Sequence, residues 1–331
     1  MPRLDKKPRV MLDEFRVKNA PDDYGMADEK WSFKKFAKSF KIHIVRLDNT
    51  EMEFDLIGIQ PAFANAFRRL MLSEVPSMAI EKVMIRNNTS IIQDEVLAHR
   101  LGLIPLKADP RLFEYKPEDA AEATEFDTLE FSLKVKCTNN KSQPKDSYRP
   151  EDLFENNCVY SSQMKWHPIG NQASVHKEAD VGPVHGDILI SKMRPGHELD
   201  LQLIAVKGIG KDHAKFSPVA TASYRLLPDI RLTREVNGGE ATLLQSCFSP
   251  GVIAIDEDGC ARVAEPRYDT CSRNVYRYDE IKDAVELSRI RDHFIFNVES
   301  VGAMAPNIIF VEAVKILRDK CKSLLDELNT L

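Results

Sequence analysis

What this sequence lacks narrows it first. No apolar run among its 331 positions is long enough to cross a membrane, which takes about 20 residues in a row. Nor is there a basic surplus: 46 Lys and Arg stand against 51 Asp and Glu, a formal charge of -5. Coating nucleic acid is therefore not its main task, because phosphate neutralisation needs an excess of positive charge. The six cysteines (Cys137, Cys158, Cys247, Cys260, Cys271, Cys321) include no C-x-x-C pair. Paired thiolates on one turn are what a structural zinc site uses, so no metal and no cofactor is expected, and the thiols are expected to be reduced. Lys6, Lys7 and Arg9 are followed by no apolar stretch, so neither a signal nor a transit peptide is expected and the compartment is the cytosol or nucleus. The patterns of catalysis are missing too. Gly208-Ile209-Gly210-Lys211 comes nearest to a phosphate loop, but Asp212 replaces the Ser or Thr that would hold magnesium and Ala205 occupies the place of the first Gly, so a nucleotide site is rejected.

What is present begins with composition: 43% hydrophobic and 29% charged residues are ordinary for a globular chain, and the length allows two or three domains. Pro61 to Pro76 is the most informative stretch. Phe63, Ala66, Phe67, Leu70 and Met71 fall at i, i+3, i+4, i+7 and i+8, one face of a helix, while Asn65, Arg69 and Ser73 line another. Pro61 suits a first helical turn and Pro76 pushes Val75 out of helical geometry, so both ends are written locally. Periodicity alone fits a surface helix covering a sheet.

The same reading gives a mobile polar extension over Met1 to Asp28 and a hairpin from Lys41 to Ile59 around Asp48-Asn49-Thr50. A strand follows over Ile80 to Arg86. Ser90 and Gln93 form a capping box that opens a helix ended by Gly102. Leu129, Phe131, Leu133, Val135 and Cys137 alternate with polar residues as a half-buried strand. Ile188–Met193 and Glu198–Val206, flanking Arg194-Pro195-Gly196-His197, read as a hairpin, and Val219–Leu227 as a strand ended by Pro228. Arg231 to Leu287 reads as a small insert without strong period. His167, His176 and His185 are too widely spaced for a metal site. A soluble enzyme would rest on His99, Arg100 and His213, and no complete set of roles follows from them. After a strand with Phe294, Phe296 and Val298, Pro306 opens a terminal helix. On it Phe310, Val314, Leu317, Cys321, Leu324 and Leu328 repeat at steps of four and three, the a/d seam of a coiled-coil-like helix. One side of an ordinary core-facing helix looks the same. The fold class is α+β, with the terminal strand and helix rejoining the first part and the middle inserted.

Three segments together resemble one family, the alpha-like subunits of multisubunit RNA polymerases. They are Ala64-Asn65-Ala66-Phe67-Arg68-Arg69 with Ser73-Glu74-Val75-Pro76, then Asp94 to Leu106, and Phe294 to Pro306 with the seam helix. The resemblance runs from about Lys41 to the C-terminus, and His213 to Pro228 and Asn297 to Met304 make it most similar to the larger alpha-like subunit shared by RNA polymerases I and III. It implies an alpha N-terminal-like dimerisation domain (41-78 plus 285-331) after an N-terminal extension (1-40), a β-rich inserted domain (79-230) and a small degenerate ferredoxin-like insert (231-284). The cysteine-rich zinc loop of the RNA polymerase II subunit and the iron–sulfur ligands of some archaeal relatives have no counterpart in the cysteine spacing here, though those subunits are the nearest alternatives. Also implied is a non-catalytic assembly platform in the nucleus, including the nucleolus. It would pair with a smaller alpha-like subunit and then receive the second-largest and largest subunits. Partner-binding residues carried over are Phe63, Asn65, Phe67, Arg68, Arg69, Leu70, Met71 and Glu74 on the first helix, and Phe310, Val314, Leu317, Cys321, Leu324 and Leu328 on the last. Within that set Phe67, Leu70 and Met71 are expected to bury against the partner, and Arg68 and Arg69 to face a large subunit.

Overall fold

Strand and helix signals of these lengths need partners far along the chain, and the fold is set by which ones they find. The computed structural model describes residues 9–18, 32–117, 123–140 and 149–330. In chain order its main elements are β1 (Arg9–Leu12), α1 (Phe33–Ser39), β2 (Lys41–Leu47), β3 (Glu51–Ile57), α2 (Pro61–Ser73), β4 (Pro76–Asn88), α3 (Asp94–Gly102) and β5 (Thr128–Lys136). They continue with β6 (Cys158–Tyr160), β7 (Lys165–His167), β8 (Leu189–Lys192), β9 (Glu198–Ile209), β10 (Val219–Leu232) and α4 (Gly238–Ser246). Last come β11 (Ile253–Ile255), β12 (Ala261–Val263), β13 (Val285–Ser300) and α5 (Pro306–Thr330). Helix and sheet are mixed, as an α+β fold requires.

The chain divides into two compact units, one of Met1–Arg46, Glu53–Ala66 and Ser223–Asn297, the other of Leu47–Met52, Phe67–Ala222 and Val298–Leu331. In the first, the strands run in the order Val17–Lys18, β1, β13, β3, β2, and β10 also pairs with β13. The terminal strand thus lies between the first strand and the hairpin. Phe54 stacks on Phe296 with ring centroids 5.1 Å apart, and Tyr224 packs edge-on against Phe294 at 5.4 Å. A second apolar cluster joins Ile230, Val236, Leu244, Val252, Ile281 and Leu287 to Leu12. The expected mobile extension over Met1 to Asp28 is corrected at this point: Arg9–Leu12 pairs antiparallel with β13 and Leu12 is buried. Charged neighbours hid a strand too short to show a period. Residues 1–8 and 19–31 of that expectation lie outside the described residues.

The second unit is built on an antiparallel sheet in the order β7, β5, β9, β4. Leu129, Phe131, Leu133 and Leu199, Leu201, Leu203 supply its buried face, with Leu97 and Leu101 of α3 in the same core. The expected hairpin between Ile188–Met193 and Glu198–Val206 does not form: β8 pairs with β6, and β9 lies between β5 and β4. The Arg194–His197 turn reverses the chain, but each flanking strand matches its apolar face to a more distant partner. Pro228 does not end β10, which runs on to Leu232; among the described strands β10 pairs only with β13, and an edge position tolerates a residue without an N–H. The capping box at Ser90 is also absent. Gln93 is the N-cap of α3 without a side-chain cap bond, while the Ser90 hydroxyl donates to Asn88 Oδ1 at 2.7 Å and closes the preceding turn.

The glycines of the rejected phosphate loop are accounted for by packing. A Cβ on Gly208 would sit 2.7 Å from the Phe216 ring, and one on Gly210 would collide with the Leu72 carbonyl oxygen in the last turn of α2. Next to it the Lys211 amide donates to the Ser73 carbonyl at 2.8 Å, satisfying an end-of-helix acceptor. Gly210→Ala is therefore expected to displace the end of α2 and to cost about 1–3 kcal/mol, the range for overpacking against backbone. A lowered midpoint in urea unfolding checks this, and an unchanged midpoint would show that the contact relaxes freely.

Candidate dimerisation surface

Helix α2 is amphipathic, and its own chain takes most of the apolar face. Ala64, Leu70, Met71 and Val75 are buried, Met71 completely. Leu70 and Met71 were expected to bury against a partner; they are already occupied inside this chain, because the apolar stripe is wider than the strip left over for another molecule. Phe67, Asn65 and Arg68 are half-buried, Arg69 is exposed and Phe63 is 45% exposed.

Helix α5 divides its faces more sharply. Pro306, Ile309 and Ala313 are buried at a spacing of three and four, the core-facing stripe. The heptad-like residues lie on a neighbouring stripe: Phe310 and Leu317 are half-buried, Val314 is exposed, and Leu324 and Leu328 are 60% and 67% exposed. From Arg318 to Thr330 every residue is exposed, a free helical length of about 20 Å at 1.5 Å per residue. Seam and core stripe, which the periodicity could not separate, are thus two different faces.

The two helices meet through side chains that sequence spacing does not connect. Phe67 packs edge-to-face on Phe310, with ring centroids 5.5 Å apart at 65°. Glu74 forms an ion pair with Lys320; Lys320 carried no signal in the sequence, since its partner is 246 positions away. Leu325, 59% exposed beside the seam, was also missed because it lies off the strict heptad. Surface ion pairs of this kind contribute little, so the ring contact is the firmer tie.

His99 and His213 do come together, ring centroids 6.3 Å apart, but structural contacts engage their neighbours. Arg100 donates to the Leu189 and Ile190 carbonyls at 2.7 and 3.3 Å, and His213 Nδ1 accepts from the Lys215 amide at 3.1 Å. His176 stacks on Phe113 at 5.2 Å, while the His167 ring lies 2.6 Å from the Ser132 hydroxyl.

A long terminal helix that buries one stripe at its start, touches α2 through Phe310 and leaves Leu324 and Leu328 exposed is suited to pair with another chain. A profile of the RNA polymerase Rpb3/Rpb11 dimerisation domain matches residues 53–321. The chain is 53% identical over 335 aligned residues to DNA-directed RNA polymerases I and III subunit RPAC1 of Mus musculus, covering 99% of this chain and 97% of the mouse protein. To the Saccharomyces cerevisiae subunit of the same name it is 50% identical over 302 residues, 90% of each chain. Similarity to DNA-directed RNA polymerase II subunit rpb3 of Dictyostelium discoideum is lower, 31% over 298 residues, covering 85% of this chain and 92% of that protein. The chain belongs to the alpha-like RNA polymerase subunit family, in the branch shared by RNA polymerases I and III.

Proposed function

We propose that the chain is a non-catalytic assembly platform for RNA polymerases I and III, working in the nucleus and nucleolus. The observation that carries this reading is the open apolar stripe of α5, which a free surface would not favour. Phe310, Val314, Leu317, Cys321, Leu324 and Leu328, with Phe67 and Glu74 beside them, pair with a smaller alpha-like subunit. Phe63 and Asn65 extend the contact along the first turn of α2. Arg68 and Arg69 face the second-largest or largest subunit. Leu70 and Met71 support the helix from inside. The dimerisation domain comprises 41-78 plus 285-331, after an extension over 1-40, with 79-230 a β-rich insertion and 231-284 a small degenerate ferredoxin-like insert. An obligate pairing of this kind is expected to bury about 2,000 Å² or more.

Affinity purification of the tagged chain from nuclear extract tests the reading. The expected eluate holds one smaller alpha-like subunit together with the large subunits of RNA polymerases I and III. Recovery of RNA polymerase II large subunits instead would move the chain to the other branch, and recovery of no polymerase subunit would end the platform reading.

A further inference from the structure

The stretch from Ser32 to Arg46 runs against the charge of this chain. It holds Lys34, Lys35, Lys38, Lys41 and Arg46 and contains no Asp or Glu, although the whole sequence carries a formal charge of -5. All five cationic side chains are exposed, and so are the large apolar groups between them, Phe33, Ile42, Ile44 and Val45. The stretch belongs to the first unit, and contacts inside that unit fix its course. Phe36 stacks on Phe40 with ring centroids 5.3 Å apart, which ties α1 to the start of β2. The Ser39 hydroxyl donates to the Phe36 carbonyl at 3.1 Å. A Cβ on Gly58 would lie 2.5 Å from the Ser39 carbonyl oxygen, so the junction of α1 and β2 is seated against the residue that follows β3.

β2 is the last strand of its sheet. In such a strand every second N–H and C=O bonds to the neighbouring strand and the others face outward. Its side chains alternate, with Ile42, Ile44 and Arg46 on one side and Lys41, His43 and Val45 on the other. An edge protected against pairing carries charge or proline and little apolar surface; this one exposes three large aliphatic groups beside its charges. The charge selects an acidic occupant, and the apolar groups decide its class. A nucleic acid without base readout binds by stacking bases on aromatic rings, and two of the three rings here, Phe36 and Phe40, are half-buried against each other. Ile42, Ile44 and Val45 gain nothing from a sugar-phosphate backbone. A polypeptide strand that alternates acidic and apolar residues meets both the cations and the aliphatic groups, and its main chain suits the edge.

We propose that β2, together with the lysines of α1, is a docking edge for an acidic strand of another protein, one whose residues alternate between Asp or Glu and aliphatic side chains. None of its residues belongs to the set assigned above to the smaller alpha-like subunit or to the large subunits. Fluorescence anisotropy with the full chain tests it, using three labelled probes: a short peptide alternating Glu and Val, its counterpart alternating Lys and Val, and an oligothymidylate of similar length. Saturable binding of the Glu/Val peptide is expected, weakening as salt is raised, with the other two probes bound more weakly. Lys38→Glu combined with Lys41→Glu is expected to weaken peptide binding about tenfold or more, since two attractions become repulsions. Ile44→Ser is expected to weaken it about threefold or more through lost apolar contact. Lys165→Glu, which alters an exposed lysine on β7 of the other unit, is expected to leave it unchanged. Every altered side chain is exposed, and circular dichroism monitors folding. Three results overturn the proposal: no saturable binding of the Glu/Val peptide, equal affinity in the wild type and either folded β2 variant, or binding of the Lys/Val peptide as tight as that of the Glu/Val peptide. Tighter binding of the oligothymidylate overturns it as well and assigns the surface to nucleic acid.

Discussion

Leu324→Asp is expected to leave the isolated chain folded while reducing its capture of the smaller alpha-like subunit more than a hundredfold. Leu324 is 60% exposed on a stretch of α5 with no buried residue, so in the free chain the change costs only about 0.5 kcal/mol or less of helix preference. In the proposed dimer the same position lies within the apolar seam, between Cys321 and Leu328. A carboxylate placed there is desolvated without a partner, at a cost of about 3 kcal/mol or more, and each 1.4 kcal/mol is about a factor of ten in affinity. Lys322→Ala, exposed on another face of the same turn, should change neither property. Co-expression with the partner followed by sedimentation analysis separates the outcomes. Full retention of the dimer by a folded Leu324→Asp chain would show that the terminal seam is not the interface.

A second large effect is expected inside the first unit. Asp55 on β3 is 5% exposed and accepts both Nη atoms of Arg267, at 2.8 and 3.0 Å. Arg267 also donates through Nε to Glu53 at 2.9 Å. His293 Nε2 stands 3.0 Å from Asp55 Oδ2. Burial by itself would raise the Asp55 carboxyl, but the hydrogen bonds and charge of Arg267 outweigh it, and the carboxyl lies below its ordinary range. A carboxylate depressed in the folded state stabilises the fold above its unfolded value, and that contribution is lost as pH falls below about 4 through the folded value. Arg267→Met leaves Asp55 buried with its main counter-charge gone, and breaking such a pair costs about 3–5 kcal/mol, a fall in Tm on the order of 10 °C. The deficit should narrow below pH 4, where protonation removes the uncompensated charge. Denaturant titrations at pH 7 and pH 3.5 measure both. A deficit that is small at pH 7, or the same at both values, would show that the pair is incidental.

Much of the α2 region was legible in the sequence. Pro61 and Pro76 act on their immediate neighbours, so the helix ends where they put it. The alternation over Leu129 to Val135 and Leu199 to Ala205 is likewise a local record of one wet and one dry face. The hairpin of β2 and β3 was legible, but not how far its apolar residues are buried. Ile42, Ile44, Val45 and Leu47 of β2 are 45–52% exposed; β2 is the last strand of its sheet, and among the described residues these side chains stay largely uncovered.

The candidate surface was legible as a set of residues but not as a geometry. Heptad spacing picked out Phe310, Leu317 and Leu324, since side chains at such steps must share a face. That spacing had no means of telling a stripe packed on the chain's own core from one left open, and the family resemblance set Leu70 and Met71 against a partner although both are buried within this chain. By itself the sequence determined what depends on neighbouring residues: helix ends, strand faces, the repeat of the terminal helix and, through three ordered motifs, the family. Only the tertiary structure decided which strands pair, that β8 and β9 part company across their turn, that Glu74 meets Lys320 and Arg267 meets Asp55, and which stripe of α5 is free. Those choices join residues tens to hundreds of positions apart, where the gain comes from matching two surfaces and no local pattern records it.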